Sequence, residues 1–244
     1  MDVRFWVLAF FLLSFLFQGS VMLPGTAGYG AIFHDREDDD VPFHMEWTDQ
    51  VKTEWYKRIL YFNWLRFVEY SISGTDVLLI IAVVSGIVDY ELLLAIGALS
   101  FSCMILGLIA EWSLRIHTVL YHQTQITKKT DPHDLSSIMK RITKYSFWTA
   151  HLLGWVCIII PWHIIFQHYN AWYNQCGSET KPPPFVIYIV WLEVLLFAAF
   201  GLVQALQWWW PYKRRAAEVA YIALSLSAKT ILGIFISANV LVQD

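Results

Sequence analysis

Charge is scarce in this chain of 244 residues: Asp, Glu, Lys and Arg make up 15%, against 57% hydrophobic residues. Soluble globular domains hold about a quarter charged residues, so a surface wetted on all sides is excluded. A strong charge of one sign is missing too. The net charge is −3 and the isoelectric point near 6.2, which removes the electrostatic footprint of a nucleic-acid binder. Three cysteines are too few for a disulfide scaffold. Cys103 and Cys157 fall in apolar runs, and Cys176 stands in a loop. Neither a Gly-x-Ser-x-Gly elbow nor a His-x-x-x-His metal pair occurs, so the chain reads as a non-enzyme. What is abundant is apolar and aromatic: Phe, Trp and Tyr reach 17%, and the mean hydropathy is +0.47. The class is integral membrane protein, with the lipid bilayer as its first partner.

A hydrocarbon core ~30 Å thick needs about 20 apolar residues per helix. Six runs qualify: 5–24, 66–88, 92–112, 146–168, 185–209 and 217–241. They do not alternate and are too long for barrel strands, so the expected fold is all-α, a polytopic transmembrane helical bundle. The chain divides into a first span at 1–24, an acidic polar loop at 25–56 and a bundle core at 57–241. The loop carries Asp35-Arg36-Glu37-Asp38-Asp39-Asp40. Since Lys57 to Leu65 holds no Pro or Gly, the helix begins back toward Trp55.

Orientation follows from Lys and Arg in the short connections. Segment 113–145 holds six (Arg115, Lys128, Lys129, Lys140, Arg141, Lys144) and 210–216 holds three (Lys213, Arg214, Arg215), whereas 89–91 holds none and 169–184 only Lys181. The basic segments are therefore cytoplasmic and the C-terminus outside. The first run has a rival reading. Arg4, an apolar core and Pro24-Gly25-Thr26-Ala27-Gly28 resemble a signal peptide, whose removal would place the basic loops on the wrong side.

Ionisable side chains at bilayer depth are costly and mark function. Lys229 lies mid-way along the last run, too central to snorkel. A buried lysine loses its proton, pairs with a carboxylate or is consumed as a Schiff base. Glu69 is the carboxylate at matching depth. Arg66 precedes it by three residues, and Ser73 and Asp76 follow at four and seven, a polar stripe about 10 Å long. The plainer reading of Arg66 and Glu69 is an interfacial pair one turn apart. Asp76 and Glu193 both fall in the outer half, with His163 and, nearer the surface, His168. Together they read as a proton or ion path. His151, deep and alone, reads as a hydrogen-bonded structural histidine, and Glu111, at a helix end, as solvated. Trp208-Trp209-Trp210 reads as an interfacial belt. Trp162, Phe197 and Phe200 line a ligand pocket or pack a core.

A mid-membrane lysine on the last helix, facing a carboxylate with an arginine one turn before it, resembles a retinal-binding microbial rhodopsin. The details resemble heliorhodopsins. Arg66-Phe67-Val68-Glu69-Tyr70-Ser71-Ile72-Ser73 is similar to that family's third-helix signature. Ala220-Tyr221-Ile222-Ala223-Leu224-Ser225-Leu226-Ser227-Ala228-Lys229 is similar to its seventh, Leu202-Val203-Gln204-Ala205-Leu206-Gln207 to the end of its sixth, and Pro161-Trp162 to a fifth-helix pair. The inverted topology of heliorhodopsins agrees with the external C-terminus. Ser225 stands where ordinary pumps carry a second counterion.

The resemblance implies all-trans retinal on Lys229 as a protonated Schiff base with Glu69 as counterion. It places Ser225, Tyr70, Ser73, Met104, Trp162, Phe197 and Phe200 around the cofactor. It also implies a homodimer and light sensing in place of strong pumping. The added acids Asp76 and Glu193, with His163, lead to the expectation that illumination lets protons move between the Schiff base and the outside. The alternative is an ion-coupled membrane transporter built on a buried Lys229–Glu69 pair. Heliorhodopsins have seven helices and this sequence gives six. The 5–24 run is similar to the family's first helix through Phe17-Gln18-Gly19-Ser20-Val21-Met22-Leu23. Through Ala9-Phe10-Phe11-Leu12-Leu13-Ser14-Phe15-Leu16-Phe17 it is similar to the second. In either alignment a family histidine is replaced, by Gln18 or Phe15.

Overall fold

The computed structural model of the chain describes Leu16 and residues 64–127, 135–175, 185–211 and 213–239. Among them are five helices and no strand: α1 (Trp64–Val84), α2 (Tyr90–Thr127), α3 (Leu135–Gln175), α4 (Phe185–Trp209) and α5 (Arg214–Asn239). All five are long and apolar enough to cross a membrane, so the expected all-helical bundle is what the chain forms. The 5–24 run (Leu16 apart), the acidic loop and the extension toward Trp55 lie outside the described residues.

Helix ends differ from the apolar runs for local reasons. The run expected to reach 88 stops at Val84, where the chain turns through Gly86. Its φ is 91°, a left-handed value that glycine adopts without steric cost. Gly86 N–H donates to the Val83 carbonyl and Ile87 N–H to the Ala82 carbonyl, each at 3.0 Å, the paired bonds of a Schellman cap. Asp89 then starts α2, its Oδ1 accepting from Leu92 N–H at 3.0 Å, an N-cap bond to the third helical residue. At the far end of α4, Pro211 cannot continue the ladder, and Trp210 N–H closes the helix on the Leu206 carbonyl at 3.1 Å.

The larger difference is at 113–145, read as a basic loop. Most of it is helix. α2 has 38 residues and α3 has 41, which at 1.5 Å per residue is about 57 and 62 Å, far beyond a bilayer core. Past the level where α4 ends and α5 begins, the two run on as a hairpin held by polar contacts. Ser113 and Ser146 hydroxyls lie 2.8 Å apart, Lys140 Nζ donates to Thr124 Oγ1 at 2.9 Å, and His117 Nδ1 sits 3.1 Å from the Lys140 carbonyl. A hydropathy pattern does not register such pairing.

α2 packs against α1 and α3, α4 against α5, and α3 against α4. The main apolar core gathers Val77, Leu78 and Ile81 of α1, Ile158, Trp162 and Ile165 of α3, and Val186, Ile189 and Val190 of α4. Outward faces stay apolar as well, with Leu152, Leu153, Val156 and Ile159 of α3 exposed. Helices apolar all round belong in lipid.

Candidate functional site

Between the five helices lies a cavity of about 130 Å³, the volume open to the centre of a water-sized sphere. Every helix contributes wall: Tyr70, Ser73 and Val77 from α1; Cys103, Met104 and Gly107 from α2; His151, Trp155 and Ile158 from α3; Phe197, Phe200 and Gln204 from α4; Tyr221, Ser225 and Lys229 from α5. Of the residues expected around a cofactor, Lys229, Tyr70, Ser73, Met104, Phe197, Phe200 and Ser225 all line it. Trp162 does not. It is buried in the apolar core and meets Phe197 edge-on, ring centroids 5.7 Å apart, so it braces the wall from behind.

The Lys229 ammonium donates to Glu69 Oε1, and both side chains are buried. The two residues that stood out by depth in the sequence thus face each other across α1 and α5. Lys229 Nζ lies 5.7 Å from the Tyr70 ring. Tyr70 is fixed by its hydroxyl donating to the Tyr221 carbonyl at 3.1 Å and by the edge of Phe200 at 5.5 Å. One carboxylate–ammonium pair therefore sits at one side of a mostly apolar chamber, where low dielectric strengthens the attraction.

Arg66 does not stand at an exposed interface. It is 4% exposed and pairs with Glu218 of α5, while its Nη2 lies 3.9 Å from Glu111 Oε2. Glu111, expected to be solvated, is 0% exposed and is bound by Arg115 one turn on. Arg115 also donates to Gln207 Oε1 at 3.2 Å, and Gln207 Nε2 to the Tyr221 hydroxyl at 2.9 Å. Two arginines and two glutamates from three helices thus cancel in charge beneath the cavity, and the Arg66 guanidinium covers the Tyr221 ring at 4.1 Å. A charge at the end of an apolar run, but within α2, is buried here because its counter-charges are buried with it.

His151 is hydrogen-bonded, as its depth implied: Nδ1 lies 3.1 Å from Gln204 Oε1, and Nε2 accepts from the Trp155 indole at 3.0 Å. The outer residues differ in burial. Glu193 is 0% exposed, and neither of its oxygens has a hydrogen-bond partner among the described residues. Asp76 is half-buried on α1, whereas His163 and His168 are exposed. His163 follows the buried Trp162 by one residue, and a 100° turn per residue sends it out of the bundle. His163 is therefore corrected from a member of an inner path to an outward side chain. Of the tryptophan run, Trp209 and Trp210 are exposed as a belt requires, but Trp208 turns inward onto Phe147 and His117, at 4.9 and 4.7 Å.

Comparison with protein families matches residues 43–241 to Heliorhodopsin, well over half of the chain. The chain belongs to the heliorhodopsin family. No protein of curated function matches it. As a heliorhodopsin it is an integral membrane, retinal-binding protein of light-sensing or light-driven kind, and the family is not an enzyme family in the usual sense. The cavity fits that cofactor: it is lined by all five helices, apolar in most of its wall, and carries a primary amine at Lys229 beside a carboxylate. From sequence, Glu218 and Trp155 had no role, Tyr221 stood only within the last-helix signature, and Arg115 counted only as a loop cation. A signal for two of them was present. Glu218, Tyr221, Ser225 and Lys229 recur at intervals of three and four and are 5%, 4%, 3% and 7% exposed, one inward helical face.

Proposed function

We propose that this heliorhodopsin is a photoreceptor carrying all-trans retinal on Lys229 as a protonated Schiff base, with Glu69 as counterion. The observation that carries this reading is the Lys229–Glu69 pair, drawn from positions 160 apart and set beside an apolar cavity. When bound, retinal supplies visible absorption and a light-driven change of shape. The remaining work falls to the chain. Glu69 offsets the positive charge at the lysine nitrogen, which unpaired in the interior costs several kcal/mol. Tyr70 presents its ring face to that charge, with its orientation fixed by the Tyr221 carbonyl. Met104, Phe197 and Phe200 keep water from the chamber, and the Arg66–Glu218–Glu111–Arg115 group closes it toward the hairpin end. That end faces the cytoplasm and the C-terminus lies outside, supported by the Lys and Arg count. The homodimer implied by the resemblance is part of this reading.

All-trans retinal is added to the expressed protein and visible absorbance recorded beside Lys229→Ala. A band that requires the lysine and bleaches with hydroxylamine in light is expected. No band in folded parent protein overturns the reading and favours the ion-coupled transporter.

A further element concerns protons. On illumination, protons pass between the Schiff base and the outside through Asp76 and Glu193. Support comes from Glu193, wholly buried yet without a hydrogen-bond partner among the described residues, an arrangement that costs stability and that packing alone does not call for. Under voltage clamp, a photocurrent that falls in Glu193→Gln is expected. An unchanged current, or none in the parent, refutes it.

A further inference from the structure

The α3 wall of the cavity stands away from Lys229 and Glu69, since α3 packs on α2 and α4 while those two come from α5 and α1. Its polar groups form one chain. The Trp155 indole donates to His151 Nε2 at 3.0 Å, His151 Nδ1 lies 3.1 Å from Gln204 Oε1, and Gln204 Nε2 donates to the Gly107 carbonyl at 2.9 Å. An indole nitrogen only donates, so Nε2 accepts, the imidazole proton sits on Nδ1, and that proton goes to Gln204. The sense of every bond is thereby set. All four residues line the cavity. Two more contacts remove the freedom that remains. The His151 ring stacks on Phe147 at 5.9 Å and 2° between planes. The Trp155 ring rests on Gly201, where a Cβ would fall 2.6 Å from Cζ2.

We infer that His151 is a positioning residue: by holding Trp155 and Gln204 it sets the shape and polarity of the cavity end remote from Lys229, and so selects the retinal isomer accepted and tunes the wavelength absorbed. This rests on the retinal reading above. A long group fixed at Lys229 extends toward that wall. A wall whose indole cannot rotate distinguishes a straight polyene from a bent one, whereas a wall that rotates accommodates both. The amide and imidazole dipoles, held in one direction, act on the charge that light displaces along the polyene.

The test uses retinal-free protein of the parent, His151→Phe, Trp155→Phe and His151→Gln. Each is mixed with all-trans or 13-cis retinal, and uptake rate, band position and the Tm of the retinal-free form are recorded. His151→Phe keeps a ring stacked on Phe147, and Trp155→Phe keeps a ring on Gly201, but both lose the chain of bonds. Each is expected to lose about five- to tenfold of the preference for all-trans, what one neutral hydrogen bond supplies, with a displaced band. His151→Gln, whose amide accepts and donates, recovers most of both. Parent-like preference and band in folded His151→Phe overturn the inference; should that variant not fold, the same result in Trp155→Phe does so. A parent that takes up both isomers equally overturns this inference alone. A parent that takes up neither overturns the retinal reading and this inference with it.

Discussion

Glu218→Gln probes the buried charge group most directly. In the parent, Arg66 and Arg115 are balanced by Glu111 and Glu218, and all four are nearly or fully buried. The substitution leaves one excess positive charge in the interior. Removing one partner of a buried pair costs about 3–5 kcal/mol. Part of that is offset, because Glu111 lies 3.9 Å from Arg66, and two unit charges at that distance attract by about 4 kcal/mol at an effective dielectric near 20. Glu111 is already engaged by Arg115, so the offset is partial and the expected loss is about 3 kcal/mol. For a chain of this size each kcal/mol moves Tm by about 2–4 °C, which gives a fall of about 6–12 °C. The assay is thermal unfolding of retinal-free protein in detergent, with Arg66→Met/Glu218→Leu as the paired variant. Since that double change removes both charges together, it should be less destabilised than Glu218→Gln alone. A Tm for Glu218→Gln within about 2 °C of the parent, or a double variant worse than the single, refutes the reasoning.

Glu193→Leu replaces a buried carboxyl that has no hydrogen-bond partner among the described residues, so Tm should rise by the equivalent of about 1–3 kcal/mol while any photocurrent disappears. Gly201→Ala places a methyl 2.6 Å from the Trp155 ring and should drive the indole into the cavity, slowing retinal uptake and lowering Tm by the equivalent of about 1–3 kcal/mol. Gly86→Ala meets both a φ of 91° and the Trp172 ring at 2.9 Å, and should cost about 1–3 kcal/mol by thermal unfolding. Asp89→Ala removes the bond to Leu92 N–H and should cost about 1 kcal/mol by the same measurement.

The spans were legible because burial in lipid demands unbroken apolar runs, and the four complete runs after 92 all lie within described helices or reach just past them. The Lys229–Glu69 pair was legible for the opposite reason: each is a charge set among apolar residues, Lys229 eleven positions past Glu218 and Glu69 with only Arg66 and Asp76 in its run. Helix ends were less so. Hydropathy falls where α2 and α3 leave the apolar core, yet both continue, because Lys140 donates to Thr124, His117 meets Thr143, and both threonines donate to carbonyls one turn back. Glu111 was misread because the sequence shows it only as a charge at the end of an apolar run, whereas its burial depends on Arg115 one turn on and on Arg66 of another helix. Trp155 gave no signal in the sequence. Its role comes from Gly201 on another helix, and a glycine in an apolar run looks the same whether it faces lipid or the ring of a tryptophan.

The length of α3 also gives the molecule a mechanical advantage. From His151 at the cavity wall to Leu135 at the start of the hairpin arm is about 24 Å of continuous helix. A tilt of about 5° at the level of the cavity displaces that end by about 2 Å, with no residue in between changing its conformation. The Phe147, Trp208 and His117 rings stack along this arm at 4.9 and 4.7 Å, stiffening it against bending. Any tilt of α3 at the cavity wall would therefore be larger at the hairpin end, as a short pull on one end of a lever moves the other end further.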